Sequence, residues 1–248
     1  SWINKDTMKK VLVTGSHGYL GSVLTGYLAK RNYEVLGMDT GFFKNCLLYP
    51  SEDPPTIYKD IRNINDRDLR NVDSVVHLAG ISNDPLKKLK PEEIYDPVRS
   101  YSLKLANMCK EKGIQFIFPS SCSVYGKGDG TVFSEDSTTF PQTPYSINKL
   151  QIESDLKEIS DGKFSPVMLR FATAFGPSAR MRFDLVINMF VSMALTKNKI
   201  ILNSDGKAWR PHVHVNDICK AIKYSIDYSD KIDRALTLNV GDNNNNYQ

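Results

Sequence analysis

Between residues 10 and 170 short apolar runs alternate with longer stretches of helical spacing, and this rhythm restricts the chain more than any other feature. The β-branched run Val11-Leu12-Val13-Thr14 ends in a glycine turn. Residues 19–30 then set Leu20, Val23, Leu24, Tyr27 and Leu28 on one side of a helix. Further strands are predicted over residues 34–38, 56–59, 74–78, 115–118 and 166–171, and helices over 94–112 and 145–159. Short apolar strands separated by helices require a parallel sheet covered on both faces, which is a doubly wound α/β fold. After about residue 176 the rhythm changes, with helices expected over 183–195 and 218–228 and a short strand over 200–202.

Composition narrows the partners. The 248 residues are 41% hydrophobic and 24% charged, as in an ordinary globular protein. No run of about 18 apolar residues occurs, so no transmembrane helix and no membrane partner is expected. Residues 1–7 are polar and lack the apolar core of a signal peptide, which makes a cytoplasmic protein the expectation. The four cysteines form no C-x-x-C pair and read as reduced thiols, with neither a disulfide framework nor a thiolate zinc site. A net charge of +4 without a Lys/Arg block gives no support for nucleic-acid binding, whereas small anions such as nucleotide diphosphates suit such a surface.

The glycine turn Thr14-Gly15-Ser16-His17-Gly18-Tyr19-Leu20-Gly21 lies between a strand and a helix. There Gly15 permits the tight turn, Gly18 lets backbone approach a pyrophosphate, and Gly21 allows close helix–strand packing. The helix N-terminus presents free amides to phosphates. The second strand ends at Asp39, whose carboxylate accepts hydrogen bonds from adenosine ribose hydroxyls and repels a 2′-phosphate, favouring NAD over NADP. Asp60-Ile61 and Leu78-Ala79-Gly80 close the third and fourth strands, where further cofactor contacts fall. His17 sits in the turn itself, either on a phosphate or facing solvent.

Tyr145 and Lys149 stand at i and i+4 on one helix face, and Ser121 follows the strand at 115–118, on the side where open α/β sheets bind ligands. A phenol of pKa near 10 is a poor base at neutral pH. An adjacent ammonium and an oxidised nicotinamide both favour its phenolate, so Tyr145 can take a hydroxyl proton while Ser121 holds the substrate oxygen.

These residues carry a family resemblance. The segments at 14–21, 39, 60–61, 77–80, 120–126, 144–149, 170–177 and 209–217 resemble, in order, those of the extended short-chain dehydrogenases, specifically the NAD-dependent nucleotide-sugar epimerase/dehydratase group. The resemblance implies a Rossmann-like NAD-binding domain over 8–176, and over 177–248 part of a small substrate lobe with elements returning to the first sheet. It implies Ser121, Tyr145 and Lys149 as the catalytic trio, with Lys149 also on the nicotinamide ribose. Cys122 and Ser123 would border the sugar. Arg210 and Asn188 would hold the diphosphate, with Arg180 and Arg182 adding positive charge there or lying solvated. A homodimer is implied too, with the stripes at 94–112 and 145–159 either serving it or forming ordinary core.

The reaction expected is oxidation of a nucleotide-activated sugar at C4 and re-reduction of the ketone, an epimerisation. Sugar 4,6-dehydratases of the group carry an Asp-Glu pair where this chain has Cys122-Ser123, which disfavours dehydration. Thr173 replaces an Asn usual in many 4-epimerases, and residues 178–184 look like a branch acting on unusual sugars. A 4-dehydrogenase or 4-ketoreductase is therefore the competing reading, followed by a cofactor-binding protein without catalysis. Relatives extend beyond the strand at 238–241, so the substrate lobe is expected to be only partly present. His212 and His214 share a strand face but lack an evident third ligand, so no metal site is expected.

Overall fold

The first strand, β1 (Lys10–Thr14), is enclosed on both faces, with Val11, Leu12 and Val13 fully buried. Such a strand needs parallel neighbours and helices above and below. It pairs in parallel with β2 (Glu34–Asp39) on one side and β4 (Ser74–His77) on the other. The computed structural model describes residues 8–82, 89–128, 132–202 and 205–247. The sheet continues through β3 (Thr56–Tyr58), β5 (Gln115–Ser121), β6 (Val167–Phe171) and β9 (Leu236–Val240). Its seven strands run all parallel in the order β3-β2-β1-β4-β5-β6-β9.

Alternate strand residues feed two cores. Val11, Val13, Val35 and Val76 meet Leu24 and Leu28 of α1 (Tyr19–Ala29) and Ile218, Ile222 and Ile226 of α5 (Val215–Asp227). On the other face Leu12, Phe116 and Met168 meet Val98 and Leu105 of α2 (Pro91–Lys112) and Ile152 and Leu156 of α3 (Pro144–Ile159). Each such aliphatic or aromatic side chain contributes roughly 1.5–3 kcal/mol on leaving water. The apolar stripes of α2 and α3 thus cover the protein's own sheet.

A smaller sheet, ordered β10-β8-β7, comprises β7 (Thr173–Phe175), β8 (Arg210–His214) and β10 (Asn246–Tyr247), with α4 (Val186–Lys197) nearby in sequence. The segment expected as a strand at 200–202 forms none: Ile200, Ile201 and Leu202 are 51%, 45% and 56% exposed. No described strand pairs with it, and an apolar run cannot become a strand without a ladder to join. The helix predicted to start at 183 starts at Val186, and β5 runs on to Ser121 past the expected end at 118. That extension carries Pro119. Pairing with β4 stops at Ile117, so the proline stands where one side of β5 has no ladder to lose.

Candidate active site

The chain leaves β1 at Gly15 with φ +70°, a conformation that a side chain would strain. A Cβ there would meet Ala79 N at 2.8 Å, and one at Gly21 would meet Gly15 O at 2.1 Å, so turn, helix and β4 are in backbone contact. Gly18 caps α1 without a side chain, leaving the first amides of the helix for an anion. Beneath the turn Thr14 Oγ1 accepts Ala79 N–H at 3.1 Å and hydrogen-bonds His77 Nδ1 at 2.9 Å. His77 Nε2 meets Ser102 Oγ of α2 at 2.9 Å. This buried chain ties β1, β4 and α2 together. Burial, helped by the charge of Lys149, pushes the His77 pKa down to about 3, so the imidazole is neutral.

At the end of β2 Asp39 accepts His17 N–H at 3.1 Å and Gly41 N–H at 2.8 Å, one on each oxygen. Each oxygen keeps a lone pair for a ribose hydroxyl. Glycines packed against backbone, free helix amides and this carboxylate fit a dinucleotide. His17 does not face solvent. It is 4% exposed, packs on Tyr58 at 5.7 Å and lies 4.0 Å from Asp53, and its Nε2 has no partner among the described residues. Asp60 caps a short 3-10 turn (Ile61–Asn63) and binds the Arg62 guanidinium through both oxygens, which holds its carboxyl below the usual range. Ile61 belongs to the core.

A cavity of about 320 Å³ joins the turn to the reacting groups, lined among others by Gly15, Gly18, Leu78, Gly80, Ser121, Tyr145, Lys149 and Arg182. Tyr145 occupies the first turn of α3, which starts sharply because Thr143 and Ser146 cap one another and Pro144 opens the helix. The positive end of the helix favours a phenolate there. Burial raises the Tyr145 pKa, while the Arg182 charge and the Ser121 hydroxyl pull it back. Ser121 also accepts hydrogen bonds from Ser123 N at 3.2 Å and Ser123 Oγ at 2.9 Å. Lys149 Nζ lies 5.5 Å from the Tyr145 ring and donates to Pro119 O at 2.6 Å. Burial lowers its pKa to about 8, against the opposing charge of Glu153.

The remaining expected residues are placed unevenly. Arg182 lines the cavity, hydrogen-bonds Ser82 Oγ at 2.9 Å and pairs with Asp184. Cys122 is half-buried, donates from Sγ to Arg170 O at 3.2 Å, and has a thiol pKa pushed up to about 12 by burial. Asn188 is buried and spends its amide inside the protein, on Gly176 N, Tyr19 OH and Arg182 O. Arg180 turns to the ring of Phe43 at 4.4 Å, and Arg210 is exposed on β8, so neither lines the cavity. His212 and His214 pack around Phe175, and no group of three potential metal ligands occurs among the described residues. Sequence reasoning passed over the Thr14–His77–Ser102 chain and Glu153; the spacing of Glu153, four residues beyond Lys149 on the same helix face, was the available signal.

A parallel doubly wound sheet that brings a dinucleotide turn and a serine, tyrosine and lysine to the same strand ends defines a short-chain dehydrogenase/reductase fold of the extended kind. The chain belongs to the NAD-dependent epimerase/dehydratase family, whose model matches residues 11–241. It is 31% identical over 232 residues to an uncharacterized UDP-glucose epimerase of Bacillus subtilis, covering 86% of this chain and 71% of that one. It is similar in structure to a UDP-N-acetylglucosamine 4-epimerase of Methanobrevibacter ruminantium, with TM-score 0.81, 29% identity, and 95% and 77% of the two chains covered. The UDP-glucuronic acid 4-epimerase of Bacillus cereus, solved with NAD, gives TM-score 0.76 at 28% identity over 94% of this chain and 78% of that one.

Proposed function

We propose that this protein is a nucleotide-sugar 4-epimerase, taking a nucleoside-diphosphate sugar as substrate. The observation that carries the reading is the gathering of Ser121, Tyr145 and Lys149 in the cavity that the glycine turn lines. When bound, NAD supplies the hydride acceptor and donor. Ser121 holds the sugar oxygen, and Tyr145 takes the proton of the C4 hydroxyl and returns it to the same oxygen when the ketone is reduced. Arg182 favours the phenolate and offers a cation to the substrate. Lys149, which donates to Pro119 O, would hold the nicotinamide ribose. The carboxylate pair needed for water elimination has no counterpart here: a thiol with a pKa about 12 and Ser123 stand in its place. UDP-sugars come first because the similar relatives named above are UDP-sugar epimerases.

The test incubates the protein, without added NAD, with UDP-, GDP-, dTDP- and CDP-sugars and follows each by proton NMR. Conversion of one sugar to its C4 epimer supports the proposal. Turnover appearing only with added NAD, and with NADH accumulating, would replace it by a 4-dehydrogenase. Cofactor binding with no conversion of any sugar would favour a protein without catalysis.

A further inference from the structure

Three side chains of α3, spaced four residues apart, meet three consecutive residues at the end of β5. Tyr145 meets the Ser121 hydroxyl, Lys149 Nζ donates to Pro119 O at 2.6 Å, and Glu153 accepts from Ser120 Oγ at 2.5 Å. The first two pairs belong to the reaction proposed above; the third lies one helical turn behind them and is wholly buried, Glu153 being 0% exposed. Its carboxylate also takes Arg170 Nε at 2.9 Å and Nη2 at 2.7 Å from β6. Arg170, 2% exposed, is held in turn by donating to Tyr125 OH at 2.8 Å, and Tyr125 donates to Asn239 Oδ1 of β9 at 2.6 Å.

A buried ion pair is a poor source of stability, because desolvating two charges costs about what their attraction returns, and apolar side chains fill such a volume as well. What this pair does is anchor a negative charge that cannot swing away, since Ser120 of β5 and Arg170 of β6 grip it. The groups facing Lys149 make that charge consequential. From β4 comes His77, kept neutral; from β5 come only the Pro119 carbonyl and the Phe118 ring at 4.6 Å; from its own helix come Tyr145 and Glu153. Arg182, whose charge acts on Tyr145, is a cation and works in the opposite sense on a neighbouring ammonium.

We propose that Glu153 is a positioning residue which, clamped by Arg170 and Ser120, sets α3 in register with the end of β5 and fixes a negative charge one turn behind Lys149. Lys149 then remains an ammonium near neutral pH although it is buried, and as an ammonium it supports the Tyr145 phenolate and can hold a ribose. The inference rests on the catalytic roles proposed for Tyr145 and Lys149.

A single substitution leaves Arg170 buried and unpaired, so the test removes both charges, in Glu153→Leu with Arg170→Met and, separately, in Glu153→Gln with Arg170→Gln. Lys149 is titrated by NMR in protein carrying 13Cε-lysine, with its resonance assigned from Lys149→Arg. In the wild type the midpoint is expected at about 8. In either folded double variant it should fall, by less than the roughly one pH unit expected for losing one close opposite charge, because the Arg170 cation is lost with the Glu153 carboxylate. The pH profile of turnover should narrow, its alkaline limb moving down by the same amount. An unchanged Lys149 midpoint in a folded double variant overturns the proposal and leaves the pair as core. If the wild type turns over no sugar, the enzymatic reading fails, while the NMR midpoint still decides whether Glu153 governs Lys149.

Discussion

Tyr145 carries the reaction proposed here through one oxygen atom. Tyr145→Phe should lower turnover by about 10²–10⁴-fold while NADH affinity, read by fluorescence, stays near that of the wild type. Asp39 answers a different question. Its carboxylate closes β2 with one hydrogen bond on each oxygen, and charge-assisted bonds to a ribose are each worth about 1.5–3 kcal/mol. Asp39→Ala should therefore weaken NAD by at least about tenfold and narrow its preference over NADP, as measured by calorimetric titration of both cofactors. His77 adds a pH dependence whose sign is fixed by burial. Unfolded it titrates near 6.5 and folded at about 3, so between those values the unfolded chain binds a proton that the folded one does not. Stability should be complete above about pH 6.5 and decline on acidification by up to ~1.4 kcal/mol per pH unit. His77→Gln should flatten that slope in urea midpoints taken from pH 7 down to 4. The residues of the trio were readable in the sequence because their spacing is a property of one helix and one strand end. Glu153 and Arg170 were not assigned roles, because their pairing joins α3 to β6 across a distance that no local pattern encodes.

At the scale of elements, the glycine turn and α1 act as one part. A methyl at Gly21 would lie 2.1 Å from Gly15 O, a contact only backbone movement can relieve. Gly21→Ala should cost about 1–3 kcal/mol in denaturant unfolding and loosen NAD as well, since the helix carries the anion-binding amides. Most strands of the large sheet were legible because they are short apolar runs bounded by polar turns. The small sheet was not. β7 follows β6 after a single residue, Ala172, so the two read as one apolar run, and β10 is two residues long. Conversely the run at 200–202 has strand composition and no partner. The end of β5 was hidden by Pro119, which composition treats as a strand breaker although here it lies beyond the pairing with β4.

For the molecule as a whole, ligand and fold are linked by mass action. NAD at 100 times its dissociation constant should add about 2.7 kcal/mol to stability, or roughly 5–10 °C in Tm for a chain of this length. Differential scanning fluorimetry of protein first stripped of any cofactor it carries, with and without added NAD, checks this. At the same NAD concentration Asp39→Ala should show a smaller shift, and an unmoved wild-type Tm would mean that the cradle does not hold the dinucleotide. The doubly wound sheet followed from the alternation of elements, since parallel strands admit few other arrangements, whereas the return of a late strand to its edge was implied by the family resemblance. The sugar is different in kind: its recognition depends on which side chains from distant segments converge, and Arg182 reached the cavity while Arg180 and Arg210 did not.

The cysteines, read at first only as reduced thiols, have a practical consequence in the folded protein. Cys109 and Cys219 are buried and Cys122 is half-buried and hydrogen-bonded, with burial raising all three thiols. Cys46 alone is exposed, on the loop that runs from Asp39 to β3. One equivalent of a maleimide dye should therefore mark a single address without mutagenesis, and place an optical reporter seven positions along the chain from Asp39, the carboxylate proposed for the ribose. Dye emission would then follow cofactor arrival in real time, for any sugar and even where no product forms.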